Sequence, residues 1–399
     1  MSGQIQEAYI VSALRTPVGK APRGAFRHVR PDDLLAHVIR GVVDAVPALE
    51  PGDIEDAIVG CAMPEAEQGL NVARIGALLA GLPDSVGGVT VNRFCASGLQ
   101  AVAMAADRIR VGEADVMLAG GTESMSAIPM MGHRPSMNPA VLADPDKIGI
   151  AYGMGLTAER VAQRWKVSRE DQDAFAAESH ARALRAIDAG AFRGEIAPYT
   201  VREQYPAADG VSLAVQERLV NQDEGPRPGT TPETLARLRP VFAARGSVTA
   251  GNSSQMSDGA GAVLLMSERK VRELGIEPLA RFVSFAVAGV PPEVMGIGPV
   301  KAIPRALKLA GLSQGDLEWI ELNEAFAAQS LAVIRELELD PTVLNTLGGA
   351  IALGHPLGAT GAIRAATLVH GLRRERKRYG MITMCIGTGM GAAGIIEAL

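Results

Sequence analysis

With 399 residues and a formal net charge of −5, the chain is long enough for two or three domains with ample core. Its mildly acidic balance argues against nucleic acid or an anionic membrane surface as partner, and no apolar stretch reaches the length that spans a bilayer. Its 3 cysteines, at positions 61, 95 and 385, are odd in number and far apart. They make neither a disulfide framework nor a metal-ligand set, and a reducing cytoplasm is the expected location. Met1–Ile10 lacks a basic stretch followed by an apolar run, so no signal peptide is expected. The last residues, Glu397-Ala398-Leu399, are not a peroxisomal tripeptide.

Taken in order, Glu7–Leu14 reads as a strand. Asp32–Val46 has helical periodicity, with Pro31 suited to a helix start. Asp53–Gly60 runs from a cap signal into a strand, and Asn71–Ala80 reads as a helix. Gly87–Val91 is short and β-branched, a strand, and Leu99–Ile109 is an Ala-rich helix. A buried strand follows at Ala114–Ala119, ended by Gly120-Gly121-Thr122-Glu123-Ser124-Met125. Strands alternating with helices indicate an α/β unit. From about Met125 to Val248 the character changes. Pro and Met are frequent, then Leu156–Ala189 gives charged amphipathic helices, and Tyr199–Gly229 is irregular. An inserted domain or long lid is expected there.

After the insertion, Val263–Met266 and Ala280–Ala288 read as strands and Val300–Ala310 as a helix. Asp316–Asn323 then echoes Asp53–Gly60: an acidic start, then an apolar strand, followed by a helix and a Gly-rich turn. A helix at Gly361–Leu372 and a buried strand at Tyr379–Met384 complete the second copy. The chain thus reads as a duplicated α/β unit, with a site expected where the two copies meet. The basic run Arg373, Arg374, Arg376, Lys377, Arg378 reads as a solvated helix end.

Three elements carry chemistry. Cys95 stands where a strand turns into a helix, a position whose free N–H groups and positive dipole stabilise a thiolate and lower its pKa. Ala96, Ser97 and Gly98 are small enough to admit an acyl group, so Cys95 reads as a nucleophile built to be acylated. A buried Cys used as a small hydrophobe is the alternative. Gly354-His355-Pro356-Leu357-Gly358 puts a histidine in a Gly-rich turn before a helix. Cys385-Ile386-Gly387-Thr388-Gly389-Met390-Gly391 puts a second thiol at a strand end, with glycines able to expose N–H groups to an anion. Cys61 and the remaining histidines, at 28, 37, 133, 180 and 370, receive no role.

The Cys95 stretch, Thr249–Ser254, Asn323-Glu324-Ala325-Phe326, Gly348–Gly361 and Cys385–Gly391 together resemble the signatures of the thiolases, in that family's order and over essentially the whole chain. The resemblance implies a duplicated α-β-α-β-α core with an inserted loop domain: residues 1–122 completed by 249–276, the insertion at 123–248, and 277–399. It implies that Cys95 carries the acyl group and His355 takes its proton. Cys385 would be the second acid/base. Asn323 would hold a water that forms one oxyanion site with His355, and the N–H groups of Cys95 and Gly387 would form the other. Ser254 and Ala250 would contact the pantetheine arm of coenzyme A, with Met154, Arg227, Phe242, Met295 and Phe326 at other CoA positions. It further implies a homodimer or homotetramer, and a β-oxidation enzyme as an added partner.

Thioester exchange and enolate chemistry need positioned donors and a matched proton source, with coenzyme A as substrate and no metal, nicotinamide or flavin. In the acetoacetyl-CoA-specific biosynthetic branch a His usually precedes the Met-Gly element, but this chain reads Ala151-Tyr152-Gly153-Met154-Gly155. Gln68–Arg74 and Pro129–Gly132 look like the degradative 3-ketoacyl-CoA thiolases. Met125, Met130, Met131, Met137 and Met154 are expected to line the pocket entrance, since Met adapts to varied apolar tails. Cys385 argues against condensing relatives that lack a second Cys. The four intact chemical residues argue against a non-catalytic lipid carrier of the same fold.

Overall fold

The computed structural model describes residues 5–207 and 211–399. Positions 1–4 of the stretch read for a leader, and 208–210 of the insertion, therefore lie outside the described residues. The described residues form twelve strands: β1 (Ala8–Arg15), β2 (Gly19–Lys20), β3 (Asp56–Gly60), β4 (Val89–Val91), β5 (Val116–Ser124), β6 (Tyr199–Pro206), β7 (Leu213–Val220), β8 (Ser257–Ser267), β9 (Ala280–Gly289), β10 (Trp319–Leu322), β11 (Tyr379–Ile386) and β12 (Met390–Ala398).

The large sheet runs β10-β11-β12-β9-β1-β8-β5-β3-β4, with β2 on the side of β8. Its symmetry is the internal duplication. Outward from β1, the neighbours β8 and β5 are antiparallel, and β3 and β4 join parallel. Outward from β9, β12 and β11 are antiparallel, β10 joins parallel, and Leu344 bridges parallel to Ile320 where β4 lies in the first half. The halves meet through a short antiparallel pairing, Tyr9 with Arg281 and Ile10 with Ala280.

Both faces of this sheet are covered, so its strands are apolar on both sides. In β3, Ala57 and Val59 face an outer core with the helix Pro31–Asp44, while Ile58 faces the central core. In β11, Met381 faces the second outer core with the helix Gly298–Ala310, while Ile382, Met384 and Ile386 face the centre. The central layer holds two helices packed on each other, Ser97–Arg110 and Thr360–Glu375. The result is the expected α-β-α-β-α layering, with the Cys95 and His355 turns feeding the two central helices.

Several elements differ from expectation. β5 continues through Gly120 and Gly121 to Ser124 rather than ending there. Glycine suits this strand because another backbone comes close: a Cβ on Gly121 would lie 2.4 Å from the carbonyl oxygen of Gly358. Tyr199–Gly229 is not wholly irregular, since β6 and β7 form an antiparallel hairpin. The terminal strand β12 had no counterpart in the sequence reading. The insertion also contributes the helices Met154–Arg164 and Arg169–Asp188. It is tied to β1 by a buried ion cluster in which Arg15 meets Glu195 at 2.5 Å and Asp223 at 2.7 Å. Breaking such a cluster on one side strands a buried charge. The basic run does more than solvate a helix end: Arg373 donates to the carbonyls of Pro278 and Leu399, and Arg378 pairs with Glu397.

Candidate active site

Cys95 comes from the first half of the fold and Asn323, His355 and Cys385 from the second. β4 delivers the chain to the short turn Phe94–Ala96, and the helix begins at Ser97, whose hydroxyl accepts from the N–H of Arg93 at 2.8 Å. This turn packs against Leu357–Ala359, just after His355. Cys385 lies near the end of β11, with Gly387 beyond it in the connection to β12. The N–H of Gly387 and that of Cys95 itself point at the Cys95 sulfur, and Cys385 is close enough to feel the Cys95 charge.

His355 is buried and held on both ring nitrogens. Nδ1 lies 2.6 Å from Thr360 Oγ1, which donates to the Pro356 carbonyl at 3.1 Å. Nε2 lies 3.3 Å from Asn323 Nδ2. With His355 donating from Nδ1 to Thr360, the neutral imidazole carries its lone pair on Nε2, where it accepts from Asn323 Nδ2. Burial, with Arg364 adding to it, holds the His355 pKa down to about 3. Asn323 Oδ1 is buried with no hydrogen-bond partner among the described residues.

The expected lowering of the Cys95 pKa is reversed. Burial pushes the thiol up to about 11, the N–H groups of Gly387 and Cys95 oppose this, and Glu123 adds to the rise. Desolvation of the charged form outweighs the helix-start donors. Burial and the neighbouring Cys95 also raise Cys385 well above the ordinary thiol range. Burial thus holds both thiols above, and the imidazole below, their ordinary pKa ranges. Cys61 is buried and raised by its surroundings, its sulfur 3.9 Å from Glu123 Oε1.

A cavity of about 720 Å³ leads to His355. Its wall includes Met154, Arg227, Phe242, Ala250, Ser254 and Phe326. The segment carrying Ala250 and Ser254 is seated on the Asn323 loop: Ser254 N donates to Ala325 O and Ala327 N to Asn252 O. Asn252 shapes that segment by accepting from Thr249 N and donating to Asp173. Phe242 and Phe326 meet edge to face with ring centroids 6.1 Å apart. Met295 is not in the wall; it is buried behind it, clustered with Phe326 and Cys385. Of the five methionines expected at the entrance, Met125, Met130 and Met154 line the cavity, whereas Met131 and Met137 do not.

Two family models match the chain, the thiolase N-terminal domain over residues 8–269 and the thiolase C-terminal domain over residues 276–398. The chain belongs to the thiolase family. It is 54% identical to the 3-ketoacyl-CoA thiolase of Bacillus subtilis, covering 98% of this chain and 100% of that one. It is 48% identical to the peroxisomal 3-ketoacyl-CoA thiolase 5 of Arabidopsis thaliana, covering 97% of this chain and 84% of that one. The crystal structure of the Bacillus anthracis acetyl-CoA acetyltransferase superposes with a TM-score of 0.89 at 39% identity, covering 100% of both chains.

In this thiolase the cavity also takes in residues the sequence had not singled out. Lys20, Gln255, Met256 and Leu357 are in its wall. Burial lowers the Lys20 pKa, and the nearby Arg227 adds to the lowering. His180, given no role, accepts from the N–H of Arg227 at 3.1 Å and so shapes the wall from behind. Thr360 is legible in the His355 motif only as a helix-start residue; its hold on Nδ1 is a tertiary fact. Among the described residues no helix is long and apolar enough to cross a membrane.

Proposed function

We propose that this thiolase cleaves 3-ketoacyl-CoA with coenzyme A to acetyl-CoA and a shortened acyl-CoA. The observation that carries this conclusion is that His355 stands in the cavity wall against Asn323, while the Cys95 turn of the first half packs against both the turn after His355 and the strand of Cys385, in a chain whose relatives are 3-ketoacyl-CoA thiolases. His355 Nε2 takes the Cys95 proton as the sulfur attacks the C3 carbonyl. The C2–C3 bond breaks, its electron pair leaves on acetyl-CoA as an enolate, and Cys385 delivers a proton to C2. The thiol of incoming CoA then returns a proton to Cys385 and attacks the acyl-Cys95 thioester. His355 gives its proton back to the departing sulfur. No electrons are gained or lost, so coenzyme A serves as substrate and the chemistry needs no cofactor.

Asn323 Oδ1, without a partner among the described residues, supports Asn323 as the holder of a water that completes one oxyanion site with His355. The N–H groups of Cys95 and Gly387 supply the other. Ser254, Ala250, Met154, Arg227, Phe242 and Phe326 receive the CoA arm, with Met295 supporting them from behind. Residues 1–122 with 249–276, and 277–399, act as the two core halves around the insertion 123–248. A homodimer or homotetramer in the cytoplasm, acting in β-oxidation beside a partner enzyme, is the setting we infer.

The test is kcat/KM for thiolysis of 3-ketoacyl-CoA substrates of four to about twelve carbons. Each buried methylene should add up to about 0.8 kcal/mol, roughly fourfold. A sharp optimum at four carbons would instead support the biosynthetic, acetoacetyl-CoA-specific enzyme.

A further inference from the structure

Two buried carboxylates outside the reacting set grip the same turn. Glu123, on β5 of the first half, accepts from the N–H groups of Ala62 at 2.7 Å, Met63 at 3.3 Å and Gly358 at 2.8 Å, and from the side chain of Gln68. Gln68 is fixed in turn by the N–H of Ser124, at 2.9 Å. Glu324, in the second half, accepts from Ser179 Oγ at 2.6 Å, Asn345 Nδ2 at 2.8 Å and the N–H of Ile351 at 3.2 Å. Ser179 Oγ also accepts from the N–H of Gly349, at 3.1 Å.

The turn that carries His355 is thus held at Gly349 and Ile351 on one side and at Gly358 on the other. At both ends glycine is what lets the carboxylate reach the backbone. A Cβ on Gly349 would lie 2.1 Å from the Glu324 carboxyl carbon, and one on Gly358 would lie 2.8 Å from Glu123 Oε2. Gly358 lies two residues before Thr360, whose hydroxyl holds His355 Nδ1. Asn323, which faces Nε2, is the neighbour of Glu324 in the chain. Each carboxylate therefore holds backbone within two residues of one of the two groups that orient the imidazole, or adjoins that group in the chain.

We propose that Glu123 and Glu324 are positioning residues for the reaction: they clamp the 349–358 turn between the two halves of the fold and fix the His355 imidazole against Asn323. Neither touches the reacting atoms. The inference rests on the proposed role of His355 as the base. A misplacement on the order of 1 Å at a catalytic group costs about a hundredfold in rate, so loss of one clamp should show in kcat rather than in substrate binding.

The test uses full-length Glu123→Gln and Glu324→Gln, each isosteric but presenting an amide N–H₂ where donors converge, with Thr360→Val and His355→Ala alongside. Each Gln variant is expected to lower kcat for thiolysis about 10- to 100-fold while KM changes less than about threefold. Because Glu123 and Thr360 act through the same imidazole, the Glu123→Gln/Thr360→Val double variant should lose little more than the worse single variant. Folded Gln variants with kcat within twofold of the parent, or full additivity with Thr360→Val, would overturn the proposal. If neither Gln variant folds, Gln68→Ala decides. It removes one donor to Glu123, and a loss of about threefold or more in kcat at unchanged KM supports the clamp, whereas unchanged kcat overturns it. Activity retained by His355→Ala would refute the underlying role of His355 instead, which keeps the two failures distinct.

Discussion

At the scale of single residues, environment decides more than identity. A cysteine at a helix start would ordinarily be acidic, and the motif around Cys95 reads that way. The buried sulfur nevertheless has its pKa pushed up to about 11, with Gly387 and its own N–H only partly offsetting desolvation. Sequence showed the donors, because Gly and the strand-to-helix turn are local features. It could not show the burial, which comes from β11 and the His355 turn, hundreds of residues away. The consequence is testable. Below its pKa the thiolate fraction rises tenfold per pH unit, so alkylation of Cys95 in the free enzyme should climb about tenfold per unit from pH 7 to about pH 10. Peptide mass analysis after timed iodoacetamide treatment reads this directly. A plateau reached near pH 7 would show a pre-formed thiolate and contradict the neutral thiol and imidazole pair.

At the scale of elements, the strands and helices that shape the site are largely legible, most with ends displaced by up to three residues, although β8 begins at Ser257, six residues before the expected Val263. Asp32–Val46 is the helix Pro31–Asp44, and Ala280–Ala288 is β9 almost unchanged. The misses share a physical cause. The β6–β7 hairpin is largely solvated and carries no clean apolar alternation for a strand reading to find. β12 is rich in small residues and gains its identity from β11 and β9 on either side. β5 was cut short because glycine locally signals a strand end, whereas Gly120 and Gly121 continue a central strand under close backbone neighbours. Gly121→Ala should therefore push on the turn at Gly358 and Ala359 and cost about 1–3 kcal/mol of stability. Urea unfolding should show a lower midpoint at similar slope; an unchanged midpoint would mean that the turn yields freely and that the contact is not a constraint.

At the scale of the whole molecule, the site exists because the fold is doubled. The two half-sheets share a four-strand pattern, with a bridge at Leu344 where the first half has β4, each sends a central helix to the shared layer, and the turns that start those helices pack on each other and bring Cys95 and His355 together. The echo between Asp53–Gly60 and Asp316–Asn323 made the duplication visible in the sequence. What pins the halves together was not visible: the Glu123 contact to Gly358 spans 235 positions of the chain. The central claim is that Cys95 carries the acyl group while Cys385 and Cys61 do not. The most direct measurement is peptide mass spectrometry after brief exposure of the enzyme to a 3-ketoacyl-CoA without free CoA. The shortened acyl group should be found on the peptide containing Cys95. The same mass on Cys385 or Cys61, with Cys95 unmodified, would contradict the account.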